Sequence, residues 1–162
     1  MKIELKNIKH SEMASHETNC YTASIYVDGK KAGTVDNEGY GGCDNISWDD
    51  RVFGLTVENW AEAQPKIKTE YGEMSYSLEL LFGEIVNKWL IEKEVKRNLK
   101  KGLIVRDGDT PAGSWRIFNS PLSQTQPKHL FDSLIMRGKL KADAICLNVL
   151  PLNEAVKVWG EV

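Results

Sequence analysis

Paired cysteines and long apolar runs are both missing from this sequence. Its 162 residues include three cysteines, Cys20, Cys43 and Cys146, and no two of them form a CxxC motif. An odd number of separated cysteines argues against a disulfide framework and indicates reduced thiols. No apolar run approaches the roughly 20 residues of a membrane-spanning helix, and the N-terminal MKIELKNIKH alternates where a signal peptide has an apolar block. We therefore expect a cytosolic protein in whichever cell makes it.

The sequence also has little net charge. A formal charge of −2 argues against bulk binding to nucleic acid or to a membrane. The charges are unevenly distributed, because residues 1–79 hold 8 basic and 14 acidic side chains, whereas residues 96–141 hold 10 basic and 3 acidic ones. Either the two regions form a dipolar surface, or the second half docks an anionic partner.

The composition that is present is that of a globular protein, with 41% hydrophobic and 27% charged residues. We expect a single domain over residues 1–162. Three runs have the alternation or the β-branched content of strands: residues 2–9, 20–27 and 31–37. Asp28 and Gly29 lie between the last two runs and are a strong hairpin signal. The N-terminal region, residues 1–45, is therefore predicted to be a three-stranded antiparallel meander.

A long amphipathic helix is predicted in the middle of the chain. Apolar residues recur at i, i+3, i+4 and i+7 from Leu78 to Leu99, and Gly102 follows as a stop. A shorter helix is predicted within residues 51–64, beginning near Thr56. The other predicted elements are loops at 66–75 and 121–127, strands at 103–106, 114–118 and 142–150, and helices at 129–138 and 151–159. This order predicts an α+β fold, a mostly antiparallel sheet that starts with the meander and is packed by one long helix and shorter helices.

The glycine loop, residues 36–45 (DNEGYGGCDN), follows the third predicted strand. Its backbone amides suggest an anion nest, but it lacks the GxxxxGK[ST] and GxGxxG spacings of phosphate loops. Its acids repel phosphate and suit hydroxyl or amino groups better. Two interpretations stay open, a structural turn that uses glycine for positive φ and a contact surface for a ligand or partner. The contact residues would be Gly39, Tyr40, Gly41, Gly42, Asp44 and Asn45.

The basic segment, residues 96–106 (KRNLKKGLIVR), is the second candidate. On a continuous helix, the cations at positions 96, 97, 100 and 101 form i, i+4 pairs on one exposed face. That arrangement suits phosphate, and Trp115 or Tyr40 would stack a base. The alternative is a solvated helix end whose lysines complement the helix dipole. The candidate residues are Arg97, Lys100, Lys101, Arg106, Trp115 and Arg116.

Metal and catalytic patterns are weak. The residues of zinc-binding type near the N-terminus are His10, His16, Cys20 and Cys43. In a strand, however, residues four apart lie about 13 Å from each other, which is too far for one ion. Cys43 with His16 or His129 as a base shows no local signature of a cysteine nucleophile. We therefore predict no catalytic residue, no metal site and no cofactor.

The stretch ETNCYTASIYVDGKKAGTVDNEGYGGCDN, residues 17–45, resembles a group of small proteins encoded by bacteriophages, prophages and other mobile elements. They share a Cys-aromatic-Thr-Ala strand, a VDGKK hairpin and an acidic glycine loop that ends in GGC. The resemblance covers the first third of the chain well and transfers no catalytic residue. It implies a phage or mobile-element accessory protein that works by binding in the bacterial host cytoplasm.

The expected function is therefore non-enzymatic. The protein would counter a bacterial defence system by binding a host defence protein or by sequestering a nucleotide-like signal. A homo-oligomer with a ligand site between subunits is compatible with this hypothesis, whereas a membrane partner is not expected. The alternative is a small metal- or cysteine-dependent hydrolase that acts on nucleotides or nucleic acid.

Overall fold

The structure is a computed structural model, and it describes residues 1–69, 72–111, 113–119 and 126–160. Over these ranges it contains four α-helices and nine β-strands, which confirms the predicted α+β class. The chain divides into two compact units, Met1–Asn87 and Lys88–Val162. No helix in the described ranges is both long and apolar enough to cross a membrane.

The first unit is built on a four-stranded antiparallel sheet in meander order. Its strands are β1 (Ile3–His10), β2 (Tyr21–Val27), β3 (Lys30–Asn37) and β4 (Asn45–Trp48). Alternate residues of β2 are buried, as its period of two predicts. Asp28 and Gly29 both have positive φ, 48° and 82°, which a type I′ turn requires. The first three strands are therefore the predicted meander.

The fourth strand extends the meander beyond the predicted part of the sheet. β4 pairs with β3 in antiparallel register, with Asn45 opposite Asp36 and Trp48 opposite Gly33. Its four residues, NISW, are too few to show a convincing alternation in the sequence. It is a strand because the edge of β3 offers unpaired backbone groups to the returning chain. The glycine loop is consequently a connection between two paired strands.

Helix α1 (Arg51–Glu62) begins earlier than Thr56, where the sequence prediction places its start. The reason is the N-cap. The Asp50 carboxylate accepts hydrogen bonds from the backbone N–H groups of Val52, at 2.9 Å, and Phe53, at 3.2 Å. These bonds satisfy amides of the first turn that have no partner within the helix.

A glycine allows α1 to pack closely on β4. Gly54 is buried, and a Cβ atom there would lie 2.3 Å from Cγ of Trp48. The indole Nε1 of Trp48 donates to Oε1 of Glu58, one turn further along α1, at 2.8 Å. The helix can approach the indole only because residue 54 carries no side chain.

The predicted loop over residues 66–75 is wrong in part. β5 (Ile67–Thr69) and β6 (Gly72–Met74) pair as an antiparallel hairpin. Strands of three residues are too short for a periodic signal. Residues 70 and 71 lie outside the described part of the chain.

Helix α2 (Leu78–Leu99) is the predicted long helix, and the boundary between the two units falls within it. Its buried residues include Leu78, Phe82 and Val86 in the first unit and Val95 in the second unit. These positions follow the predicted helical spacing.

The second unit contains a three-stranded sheet in the order β8-β7-β9. Its elements are β7 (Gly102–Arg106), β8 (Arg116–Asn119), α3 (Pro127–Met136), β9 (Ile145–Cys146) and α4 (Leu152–Gly160). The central strand β7 is buried on both faces. Leu103 packs into one cluster with Leu134 of α3, whereas Ile104 packs into another with Val95 of α2 and Ala155 of α4. Helices therefore cover both faces of this sheet.

The strand predicted over residues 142–150 is reduced to Ile145–Cys146, and a 3-10 turn follows it. The Asn148 side chain takes the place of further strand pairing. Its Oδ1 accepts the N–H of Ile104 at 2.8 Å, and its Nδ2 donates to the carbonyl of Gly102 at 3.1 Å. Because a side chain already satisfies these groups of β7, the ladder stops.

The other predicted elements of this unit lie near their predicted positions. β8 begins at Arg116 rather than at Ser114, and α3 begins with Pro127 in its first turn. Gly138 follows α3 with a φ of 65° and donates its N–H to the carbonyl of Ile135 at 2.9 Å. Of the predicted loop over residues 121–127, residues 121–125 lie outside the described ranges.

Gly54→Ala is expected to destabilise the protein although alanine is the better helix former. The gain in helix propensity is about 1 kcal/mol, but the methyl group overlaps the Trp48 ring, and overpacking costs about 1–3 kcal/mol, with this overlap at the upper end. Urea unfolding followed by circular dichroism should therefore show a lower midpoint.

Gly83→Ala is the matched control. It also lies within a helix, but no atom lies within 4 Å of a Cβ atom at this position. The midpoint should rise, by up to about 1 kcal/mol in free energy of unfolding. Equal shifts for the two variants would contradict the close packing of α1 on Trp48.

Candidate functional site

The glycine loop is tied to a second loop of the first unit, the facing loop, residues 11–20. The carbonyl oxygen of Gly39 accepts the backbone N–H groups of His16, Glu17 and Thr18, at 2.9, 2.9 and 3.4 Å. Gly39 has a φ of 87°, and a Cβ atom there would lie 2.1 Å from the carbonyl oxygen of Ala14. Position 39 therefore requires glycine both for its backbone conformation and for the close approach of the two loops.

Asn37 is the centre of the hydrogen bonds between these loops. Its side chain is buried, with 6% of the residue exposed. Oδ1 accepts the N–H of Gly39 at 2.9 Å and the hydroxyl of Thr18 at 2.8 Å. Nδ2 donates to the carbonyl of Gly42 and to Oδ1 of Asp44, both at 3.0 Å. All four hydrogen-bonding positions of the amide are therefore used.

A buried tyrosine completes the partners of Asp44. The hydroxyl of Tyr21 donates to Oδ2 of Asp44 at 2.7 Å, while Oδ1 accepts from Asn37. Burial of the Tyr21 ring, and then its hydrogen bond to the Asp44 carboxylate, raise the pKa of the phenol above its ordinary value. Tyr21 is therefore a fixed donor that orients the carboxylate.

A cavity of about 200 Å³ lies beside this network. It is lined by Thr18, Asn19, Tyr21, Asn37 and Asp44 from the sheet and loops, and by Glu79, Gly83 and Val86 from α2. Asn19 also donates to Oδ1 of Asn87 at 2.9 Å, which joins the facing loop to α2. Pockets for drug-sized ligands measure about 300–1,000 Å³. This cavity suits a small polar group, such as the end of a side chain, and not a whole nucleotide.

An exposed aromatic pair lies on the outer side of the two loops. The rings of His16 and Tyr40 stack with centroids 4.9 Å apart and an interplanar angle of 22°. Tyr40 is 67% exposed, and Met13, in the facing loop, is 94% exposed.

The two loops carry acids and neither lysine nor arginine, because residues 11–29 and 32–50 contain none. The acids of the two loops are Glu12, Glu17, Asp36, Glu38 and Asp44. We call the exposed surface of these two loops, with His16, Tyr40 and Met13, the platform.

The structure places the other predicted residues of the glycine loop in the same network. Gly41 has a φ of 83°, and its N–H donates to the hydroxyl of Thr18 at 3.3 Å. Asn45 begins β4 and donates to Oδ2 of Asp36 at 3.2 Å. The six predicted residues of the loop therefore share one end of the first unit. Sequence reasoning missed Thr18, Tyr21 and Asn37, whose only signal was the frequent use of Asn and Thr in turns.

The basic segment belongs to the second unit, and its predicted helical geometry is wrong at the C-terminal end. α2 ends at Leu99, and the N–H of Lys101 donates to the carbonyl of Asn98 at 2.9 Å. Lys100 and Lys101 therefore lie in the turn before β7 and do not form helical i, i+4 pairs with Lys96 and Arg97. The strand β7, which is central in its sheet, begins directly after this turn at Gly102.

Trp115, which the sequence predicts to stack a base, already contacts another aromatic ring. Trp115 stacks on Trp159 of α4, with ring centroids 5.7 Å apart and an interplanar angle of 8°. The guanidinium carbon of Arg106 lies 4.8 Å from the centroid of the Trp115 ring. The structure thus brings Arg106 and Trp115 together, but as parts of a packed stack.

Arg116 is similarly held by an internal carboxylate. It forms an ion pair with Asp107, which is buried, and whose other oxygen accepts the hydroxyl of Thr110 at 3.0 Å. Burial opposes the charged form of Asp107, but the hydrogen bonds from Thr110 and from the backbone of Lys141 and Asp109 outweigh it, so the pKa of Asp107 is lowered. Arg116 therefore stabilises the turn between β7 and β8.

The side chains of zinc-binding type lie apart from a common centre. In the described ranges, no three His, Cys, Asp or Glu side chains form a group that would hold a metal ion. His10 contacts the Ser15 hydroxyl at 3.2 Å, and His16 is part of the aromatic stack. Cys43 is exposed and Cys20 is partly buried.

Comparisons of the chain with models of protein families, with curated proteins and with solved structures gave no match.

Tyr21→Phe is expected to destabilise the protein at neutral pH and to matter less at high pH. The variant loses a hydrogen bond to a carboxylate, which contributes about 1.5–3 kcal/mol. Because the folded pKa of Tyr21 is raised, its stabilisation is complete below the unfolded pKa, near 10, and is lost as pH rises above it.

The measurement is the difference in free energy of unfolding between the wild type and Tyr21→Phe at pH 7, 9 and 11. The difference should be constant from pH 7 to 9 and then fall by about 1.4 kcal/mol per pH unit above pH 10. Tyr26→Phe is the control, because Tyr26 carries no such bond to a carboxylate among the hydrogen bonds of the described residues. A difference for Tyr21→Phe that stays constant to pH 11 would contradict the raised pKa.

Proposed function

We propose that this chain is a non-enzymatic accessory protein of phage type, which counters a bacterial defence system by binding a host defence protein through the platform. The observation that supports binding through this surface is the exposed His16–Tyr40 stack on a loop pair whose backbone is fixed by the Gly39 carbonyl, whereas the phage context rests on the resemblance of residues 17–45. An aromatic pair that is both exposed and rigid is a suitable anchor for a protein interface.

The charges around the platform favour a basic segment of the partner. The two loops carry five carboxylates and no lysine or arginine, so a cationic side chain gains attraction and a phosphate meets repulsion. An arginine or lysine of the partner suits this surface, because its stem and charge can lie over the Tyr40 ring while carboxylates of the two loops accept its hydrogen bonds.

Rigidity supports binding because a fixed surface loses little conformational entropy on association. Ordering one flexible side chain costs about 0.5–1.5 kcal/mol at an interface. Here the hydrogen bonds of Asn37 and Gly39 have already ordered the backbone that presents Tyr40. Association therefore loses less free energy to ordering of the loop backbone.

The test is capture of the partner with purified protein from cells that each express one bacterial defence system, followed by titration of the identified, purified partner. Tyr40→Ala should weaken binding by about 30-fold, as expected for a hot-spot residue of about 2 kcal/mol. It should also lose protection of phage in plaque assays on the same cells. Raising the salt concentration should weaken wild-type binding, because salt screens the attraction between the acidic side chains of the two loops and a basic partner.

Met136→Ala is the control, because Met136 is an equally exposed apolar side chain of the second unit, at 81%. It should leave affinity within twofold of the wild type. Unchanged affinity and unchanged plaque counts for Tyr40→Ala would contradict the platform as the binding surface. Loss of binding by Met136→Ala alone would place the interface in the second unit.

A further inference from the structure

The solvent face of α2 in the second unit carries a second set of binding groups. Residues of the C-terminal half of α2, together with Lys100 in the turn that follows the helix, line a depression of about 450 Å³. They are Trp89, Glu92, Lys93, Lys96, Arg97 and Lys100, and we call them the α2 stripe. Val95, which is fully buried, faces the core on the opposite side of the helix. The volume lies within the range of small-molecule sites, about 300–1,000 Å³, unlike the smaller cavity beside the glycine loop.

The stripe carries four cations and one carboxylate. Lys96 pairs with Glu92 at 2.5 Å, and Arg97 is 4.0 Å from Glu94, which lies outside the stripe. The Lys96 and Arg97 side chains are 52% and 64% exposed, and ion pairs between exposed side chains contribute little to stability because water and salt screen them. Both cations can therefore exchange these partners for a ligand that carries more negative charge.

Phosphate satisfies this surface better than a single carboxylate does. A phosphate group offers several acceptor oxygens in the geometry that a guanidinium and neighbouring ammonium groups can share. The C-terminal end of α2 contributes about half a negative charge, which opposes an anion. The net excess of cations on the stripe exceeds that half charge several times.

The indole of Trp89 supplies the aromatic contact. Lys93 Nζ lies 4.8 Å from the centroid of this ring, a cation–π contact that is weak at exposed sites. Stacking of a nucleobase on an aromatic ring is generally stronger than such an exposed cation–π contact. A base can therefore displace the flexible Lys93 ammonium from the ring and leave it free to pair with a phosphate.

The spacing along the helix matches these two contacts. Trp89 and Lys96 are seven residues apart, or about 10 Å at 1.5 Å per residue. From this juxtaposition we propose that the α2 stripe binds a phosphorylated nucleotide, with its base on Trp89 and its phosphates on Lys96, Arg97 and Lys100. This site is independent of the platform, and it would allow the protein to hold a nucleotide signal without altering it.

Isothermal titration calorimetry of the full chain with ATP, inorganic triphosphate and adenosine tests the proposal at low salt. ATP should bind more tightly than either fragment, and the double variant Lys96→Gln with Arg97→Gln should weaken it at least tenfold. Trp89→Leu should weaken ATP binding but leave triphosphate binding unchanged, and Trp89→Phe, which keeps a ring, should restore most of the ATP affinity. Glu92→Gln should strengthen ATP binding several-fold, because it removes the internal anion that competes for Lys96.

The matched control is the double variant Lys30→Gln with Lys31→Gln, two exposed lysines of the first unit. It removes the same charge and should leave ATP affinity within twofold.

No heat of binding with ATP at millimolar concentration would overturn the proposal, as would equal affinities for ATP and triphosphate. A single-stranded oligonucleotide that binds far more tightly than ATP, with affinity rising with its length, would also overturn it and indicate a surface for nucleic acid. None of these variants changes Tyr40, so a negative result with ATP would not contradict partner binding through the platform.

Discussion

The Asn37 side chain makes four hydrogen bonds in a buried position, and the geometry of the glycine loop depends on them. A buried amide whose donors and acceptors are all used is stable only in one arrangement of its neighbours, because each unpaired group would cost about 1–3 kcal/mol. Asn37 thereby fixes Gly39, and the carbonyl of Gly39 in turn holds three amides of the facing loop. The exposed Tyr40 and His16 rings project from a backbone that this chain of contacts has ordered.

The second unit uses an asparagine for a similar purpose. The Asn148 side chain accepts the N–H of Ile104 and donates to the carbonyls of Gly102 and of Leu99, the last residue of α2. A 3-10 turn can therefore follow β9 without leaving these groups of Ile104 and Gly102 in β7 unpaired. The central strand is thus buried on both faces although its neighbouring strands are short. In both units a side-chain amide replaces regular pairing where the chain leaves a strand.

The sequence allowed the α+β class, the first three strands and the long helix to be predicted, since each has a strong local signal. Alternation in β2, positive-φ residues at Asp28 and Gly29, and the helical spacing of α2 are properties of short segments. β4 and the β5–β6 hairpin could not be predicted, because strands of three or four residues form only when a partner strand is already in place. The end of α2 at Leu99 was also beyond sequence reasoning, because Lys100 and Lys101 are compatible with a longer helix.

The candidate sites were predictable only in part for a related reason. The acidic character of the glycine loop and the basic character of the second half are visible in the sequence. The hydrogen bonds from Thr18 and Tyr21, however, join residues far apart in the chain. Likewise Arg106, Trp115 and Arg116 have suitable chemistry for a ligand, but tertiary packing gives them internal partners, whereas Trp89 and Lys93 gain importance from the exposed face of α2.

The most direct test of the central claim, that Asn37 orders the glycine loop and the facing loop, is amide hydrogen exchange followed by NMR in the wild type and in Asn37→Ala. The account predicts that the N–H groups of His16, Glu17 and Gly39 exchange slowly in the wild type, although they lie in loops, and rapidly in the variant, while the amides of β2 stay protected. Exchange of these loop amides at the rate of an unfolded chain in the wild type would contradict it.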